Sequence, residues 1–242
     1  MKDILRWLLR QHPTSRPEPE RFALHSGERQ TATTLEQVRF DHVARYELAV
    51  CLVNQRYPMH CPGFGLDVFC GTGYGTHMIS QRVNCPVLGI DASCEAIALA
   101  NSHFSGPKTF YCAKVFPFLL PCAAFDFVVC LESIEHVAQG ETFLQVLAQS
   151  LKPGGLLVVS SPNSACWSLE LNPNPFHHCH YAQKELIDLA TKDGLFAFAM
   201  SYAQDLYHFE AGRIVQPLPP EAMHVRPGAD GQVLIMVFTR RG

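Results

Sequence analysis

The stretch Leu66-Asp67-Val68-Phe69-Cys70-Gly71-Thr72-Gly73-Tyr74-Gly75 reads as an apolar strand carrying one acid that runs into three glycines at alternate positions, with a helix expected from Tyr74. Glycine tolerates φ > 0 and puts no Cβ between backbone and ligand, so such a turn can wrap a nucleoside. A second apolar strand, Pro86-Val87-Leu88-Gly89-Ile90, ends in Asp91. An acid at that tip is placed to take paired ribose hydroxyls. The spacing departs from the dinucleotide fingerprint G-x-G-x-x-G/A, because the third glycine comes two residues after the second and Thr76 holds the expected small-residue position. Asp67, four residues ahead of Gly71, would repel a pyrophosphate but could receive a cationic amino-acid group. A purely structural tight turn is the competing reading of this stretch taken alone.

Working outward, the chain of 242 residues suits one α/β domain with elaborations. Charged residues make up 17% and hydrophobic residues 48%, which argues against global disorder. Net charge is -3 and no Lys/Arg run exceeds two residues, so a nucleic-acid partner is not expected. The 10 cysteines include no C-x-x-C pair, which points to structural thiols in a reducing compartment and hence to a cytoplasmic protein. Residues 1–10 form a short amphipathic stretch without a signal-peptide cleavage site, read as a packed or tail helix, and no apolar run reaches a membrane-spanning length.

The alternation of elements sets the fold class. Residues 11–34 read as a loop or flexible arm, and Thr34 caps a helix expected over 35–57, with Pro58 beyond. Strands are expected at 65–69, 86–90, 108–112, 125–130 and 155–160, with helices at 74–82, 93–103 and 140–150. Near-continuous apolar strands alternating with helices imply a parallel sheet covered on both faces. A helix over 182–192 precedes strands 195–200 and 233–238, whose Pro/Gly-rich connection is read as an excursion near the site.

From Asp67 to Asn163 the sequence resembles the class I S-adenosylmethionine-dependent methyltransferases, in particular their type 11 and type 23 domains. The resemblance rests on four ordered motifs: the glycine turn, Gly89-Ile90-Asp91, the run from Phe125-Asp126 to Glu135-His136, and Leu151-Lys-Pro-Gly-Gly155 with its following strand. Glu20-Arg21-Phe22, His42-Val-Ala-Arg-Tyr46 and Asn174-Pro-Phe-His177 also resemble a subgroup among glycan and small-molecule methyltransferases. The resemblance implies a Rossmann-like, doubly wound α/β fold with a seven-stranded, mainly parallel sheet whose last strand is reversed. An N-terminal arm and cap helix (1–57) would precede the methyltransferase domain (58–242).

It also implies a cofactor, S-adenosyl-L-methionine, with Asp67, Gly71 and Gly73 along its methionine half, Asp91 on the ribose and Ala92 near adenine. Capping of the next helix is the alternative for Asp91. The family's adenine-binding Gly-Asp-Ala falls on Ala113-Lys114-Val115, where Lys114 offers only donors. Adenine is then held by the Val115 backbone and stacking, or cofactor affinity is weak, or the alignment is shifted. Arg45 and Tyr46 are placed to close over the cofactor carboxylate, with helix packing the alternative for Tyr46.

Glu132-Ser-Ile-Glu135-His136 follows the fourth strand, where substrate should approach the cofactor. His136, with Glu135, is the candidate base, since imidazole titrates near physiological pH; a structural histidine is the alternative. The E-x-x-E-H pattern further resembles a metal-binding arrangement in small-RNA 3′-end 2′-O-methyltransferases and ubiquinone-pathway O-methyltransferases. Glu132, Glu135, His136 and the later His177 would then hold a divalent metal. Trp167 and Phe176 are candidates for apolar cover. The expected activity is O-methylation of a sugar, glycan precursor or small hydroxylated metabolite, with N-methylation open. The rivals are metal-dependent 2′-O-methylation of an RNA end and a degenerate cofactor-binding interaction protein.

Overall fold

The computed structural model describes residues 29–58 and 62–242, together with Ile4, Arg6, Trp7 and Leu24. Glu20-Arg21-Phe22 and most of the 11–34 arm lie outside the described residues, as does most of the 1–10 stretch, of which Ile4 is buried in the core.

Five parallel strands follow the expected order: β1 (Gly65–Val68), β2 (Val87–Asp91), β3 (Thr109–Ala113), β4 (Phe125–Cys130) and β5 (Leu151–Pro162). Helices α1 (Phe40–Arg56), α2 (Tyr74–Val83), α3 (Cys94–His103), α4 (Gly140–Ser150) and α5 (Gln183–Thr191) connect and cover them. After α5 come β6 (Phe196–Gln204), a separate hairpin of β7 (Tyr207–Glu210) and β8 (Arg213–Pro217), the two-residue β9 (Arg226–Pro227), and β10 (Val233–Arg240). The sheet order is β3-β2-β1-β4-β5-β10-β6-β9, with β10 antiparallel to both β5 and β6. The reversed last strand is as expected; the sheet has eight strands rather than seven because β9 adds a short edge on β6. Strand order reverses between β1 and β4, where such sheets leave a crevice beyond the strands' carboxyl ends.

Side-chain alternation divides the interior into two layers. Leu66, Val128, Cys130, Leu157, Val159, Leu234 and Met236 face α4 and α5, while Phe127, Val129, Leu156, Val158, Ile235 and Val237 face α1 and α2. The same parity turns Gly65 and Asp67 toward the α1–α2 side, which proves decisive for the site. The helix expected over 35–57 is in two pieces. Thr34 opens a single 3₁₀ turn, Leu35–Gln37, in which Gln37 Oε1 accepts from the Thr33 amide at 2.8 Å. Extended backbone at Val38 and Arg39 then separates this turn from α1.

Gly65 shows how tightly β1 sits against β4: a Cβ there would lie 2.1 Å from Phe127 Cζ. Gly65→Ala is expected to cost about 1–3 kcal/mol, as overpacked cores do. Gly106→Ala, whose nearest neighbour would be 3.6 Å away, should stay within about 0.5 kcal/mol of wild type in urea unfolding.

Candidate functional site

A cavity of ≈ 870 Å³ opens over the carboxyl ends of β1, β2, β4 and β5. Its floor is the turn between β1 and α2. Gly71 and Gly73 take φ of 56° and 87°, the left-handed region that side chains disfavour. Asp91, 3% exposed, accepts from the Gly71 amide at 2.8 Å and from the Ser93 amide at 2.8 Å. The tips of β1 and β2 are thereby tied through one carboxylate. Arg29 stands 3.7 Å from its Oδ1. Ser93 caps α3, its side chain accepting from the Ala96 amide, so Asp91 is not that helix's cap. Thr72 Oγ1 donates to the Ala32 carbonyl at 2.9 Å and accepts from its amide at 3.2 Å, pinning the segment before α1 over the turn.

Asp67 lies one layer below. It is fully buried, accepting from Thr76 Oγ1 at 2.7 Å and from the Tyr46 hydroxyl at 3.3 Å, and it does not line the cavity. Strand parity is the cause. Gly75 makes room for this arrangement, since a Cβ there would fall 1.9 Å from the Tyr46 ring. Burial raises the Asp67 carboxyl to about 7 against the hydrogen bonds from Thr76 and Tyr46. Tyr46 lines the cavity with its hydroxyl turned to Asp67, and Arg45 is buried with its guanidinium on Gln204 (2.6 Å) and Asp41 (3.1 Å). Neither donor is aimed at a cofactor carboxylate.

At the β4 end, Glu132 adopts φ 48°, a strained conformation for a residue with a side chain. Ser160 holds it twice: its Oγ accepts from the Glu132 amide and donates to Oε1, both at 2.7 Å. Glu135 is buried, and its Oε2 has no hydrogen-bond partner among the described residues. Burial, then the nearby Glu132, pushes the Glu135 carboxyl well above the usual range. His136 is bonded through Nδ1 to the Phe176 carbonyl at 3.1 Å, which makes Nδ1 the protonated nitrogen and leaves Nε2 with its lone pair. Burial pushes His136 down to about 4. His177 Nε2 accepts from the Asn174 amide at 3.0 Å, and its Nδ1 meets His180 Nε2 at 2.8 Å. His180 in turn bonds the Trp167 carbonyl at 2.7 Å.

Of the four expected metal ligands, Glu135, His136 and His177 bring ligand atoms within 4.8 Å of one another, while Glu132 is turned to Ser160. Gly71, Asp91, Ala92, Tyr46, Glu132, Glu135, His136 and His177 line the cavity; Asp67, Gly73, Lys114 and Val115 do not. The Lys114 ammonium lies 5.4 Å over the Trp7 ring, and Phe116 takes the cavity wall at that end. Cavity residues without an expected role include Arg29, Arg39, His42, Tyr74 and Tyr207. Tyr74 and His42 sit inside quoted motifs, and only their pairing across α1 and α2 brings them out.

The roof comes from two excursions, residues 164–181 between β5 and α5 and residues 205–232 between β6 and β10. Trp167 packs edge-on to Tyr207 at 5.3 Å, Asn172 Oδ1 accepts from the Ile214 amide at 2.8 Å, and Gln232 holds the Leu206 and Tyr207 amides at 2.8 Å each.

Residues 66–159 match the methyltransferase domain family. A probable S-adenosylmethionine-dependent methyltransferase of Mycobacterium tuberculosis is 32% identical over 62% of this chain and 55% of its own length. A ubiquinone biosynthesis O-methyltransferase of Sinorhizobium fredii is 36% identical over 40% of each. The chain spans about half the length, or less, of these curated relatives. The solved N-methyltransferase NodS of Bradyrhizobium japonicum, in complex with S-adenosyl-L-homocysteine, superposes with TM-score 0.62 over 90% of this chain and 97% of its own. At 16% identity that likeness carries the fold.

Because Asp67 titrates near 7 in the folded chain and near 3.8 when unfolded, folding takes up a proton between these values and stability falls as pH rises through that window. Asp67→Asn removes this loss. The variant's Tm, compared with wild type at the same pH, should therefore improve steadily from pH 4 to pH 7 in a thermal-shift series (about these limits).

Proposed function

We propose that this chain, whose residues 66–159 match the methyltransferase domain family, transfers the methyl group of S-adenosyl-L-methionine to a hydroxyl of a sugar or other small hydroxylated acceptor. One observation carries the reading: the glycine turn, the Asp91 carboxylate and the Glu135–His136 pair open into a single cavity at the sheet's switch point. The residues fit the cofactor. Gly71 leaves open backbone where a nucleoside would lie, and each Asp91 oxygen that accepts one amide keeps a lone pair for a ribose hydroxyl. The volume is at the upper end for small-molecule sites, room for a cofactor with a small acceptor. Trp167, Phe176 and Tyr207 line the cavity and supply aromatic surface for a sugar or aromatic ring.

S-adenosyl-L-methionine supplies an already activated methyl group. The chain's part is alignment and proton removal. His136 Nε2 is unprotonated at neutral pH and accepts the acceptor's hydroxyl proton, while Nδ1, held on the Phe176 carbonyl, keeps the ring oriented. The ubiquinone-pathway relative favours O-methylation among the alternatives.

A second reading is metal-assisted transfer. Glu135, His136 and His177 form a donor set of one hard and two borderline ligands that fits a divalent ion, although His177 would have to exchange its contact with either Asn174 or His180. Such an ion would lower the pKa of a bound hydroxyl. Cytoplasmic placement is supported by Cys51, Cys70, Cys112, Cys122, Cys130, Cys166 and Cys179, none of which is in a disulfide among the described residues. No helix among the described residues is long and apolar enough to cross a membrane.

Asp91→Ala should weaken S-adenosyl-L-homocysteine binding about tenfold or more by calorimetry, the scale of a lost charge-assisted hydrogen bond. With an acceptor found by screening with labelled cofactor, His136→Ala should reduce kcat about a hundredfold while the cofactor Kd changes less than about twofold. Exhaustive chelation separates the two readings: retained turnover removes the metal, and loss restored by a single divalent cation establishes it.

A further inference from the structure

Burial of Asp67 beneath Tyr46 and Thr76 leaves the methionine end of the cavity without the carboxylate expected to meet a cofactor's ammonium group. A different acceptor stands there. Tyr74, the first residue of α2 and the one directly after Gly73, donates its hydroxyl hydrogen to His42 Nδ1 at 2.8 Å, and both side chains line the cavity. The direction of this bond follows from the surroundings. His42 Nε2 faces Asp41 Oδ2 at 3.8 Å, which favours the proton on Nε2 and leaves Nδ1 as the acceptor. The phenol's one proton is thus committed away from the cavity, and its oxygen can only accept from a ligand.

The pair is rigidly seated. The Tyr74 ring packs edge-on to Tyr46 at 5.8 Å and to His42 at 6.1 Å. Asp41 is fixed by two guanidiniums, Arg39 through Nε and Nη2 at 3.0 Å each and Arg45 at 3.1 Å. Burial, helped by the Arg45 and Arg39 guanidiniums and opposed by Asp41, pushes His42 down to about 3, so that it stays neutral and keeps accepting at physiological pH. An unpaired tyrosine hydroxyl could rotate and present its hydrogen to a cation. His42 prevents that.

We infer that Tyr74, oriented by His42, is the hydrogen-bond acceptor for the α-ammonium group of the cofactor's methionine end. Tyr74 would touch the cofactor; His42 is a positioning residue that acts through it. The inference rests on the cofactor reading above and identifies which of this chain's side chains serve one end of that ligand.

The test compares two probes by calorimetry. S-adenosyl-L-homocysteine carries the amino-acid end, and 5′-deoxy-5′-methylthioadenosine keeps the adenosine and thioether without it. Tyr74→Phe, which retains the ring, should weaken S-adenosyl-L-homocysteine about tenfold and leave methylthioadenosine within about twofold. His42→Leu should reproduce part of that selective loss, and His42→Asn, whose amide oxygen can take the place of Nδ1, should restore it. Equal weakening of both probes would mean a merely structural tyrosine and overturn the assignment, as would no change in either. A wild-type chain that binds methylthioadenosine no more weakly than S-adenosyl-L-homocysteine also overturns it while leaving the nucleoside site standing. A wild type that binds neither probe refutes the cofactor reading itself.

Discussion

Two amide hydrogens converging on the Asp91 carboxylate hold the site together. One comes from Gly71, at the end of β1, and the other from Ser93, at the start of α3, so a single side chain fixes the separation of two strand tips and the entry of a helix. A buried carboxylate needs such donors: desolvation raises its pKa, and the amides and Arg29 act in the opposite sense. The glycines satisfy a matching constraint on the backbone. Gly71 takes φ of 56° in this turn, a conformation that glycine adopts without a Cβ penalty.

Beyond that junction the cavity divides by chemistry. Toward β2 it is lined by Gly71, Asp91 and Ala92. Toward β4 and β5 it is a strained, densely ionisable segment. Glu132 is held in the left-handed region by Ser160, and that distortion swings the following turn so that Glu135 and His136 face the histidines of the 164–181 excursion. Backbone strain of this kind persists only where surrounding bonds over-determine it, and it concentrates at functional sites. The roof is similarly determined from a distance. Gln232, just ahead of β10, fixes the first residues of the β7–β8 hairpin, while Gln204 in β6 takes Arg45 from α1 and the Met223 carbonyl. The last strands thus position both the lid and the N-terminal helix.

Hydrophobic periodicity and glycine spacing were enough to place each strand and helix of the central region to within a few residues, because apolar alternation and turn chemistry are local properties. Local signals were weaker where side chains from remote segments intervene. The 35–57 segment reads as one helix by periodicity, yet Val38 and Arg39 are extended. The eighth strand rests on two residues of β9 that pair only because β6 lies alongside.

Short-range patterns suffice for the doubly wound sheet, the glycine turn with Asp91 at its side, and the Glu135-His136 step after the fourth strand. Each follows from spacing within a short window of chain. The tertiary structure decided which of these groups reach the cavity. Strand parity sinks Asp67 under Tyr46 and Thr76, and the direction of the chain after β3 takes Lys114 to Trp7 and gives its place to Phe116. Packing of α1 on α2 brings His42 to Tyr74, and the return of the 164–181 excursion sets His177 beside His136. These outcomes depend on contacts between residues far apart in the chain, whose directions no local pattern encodes.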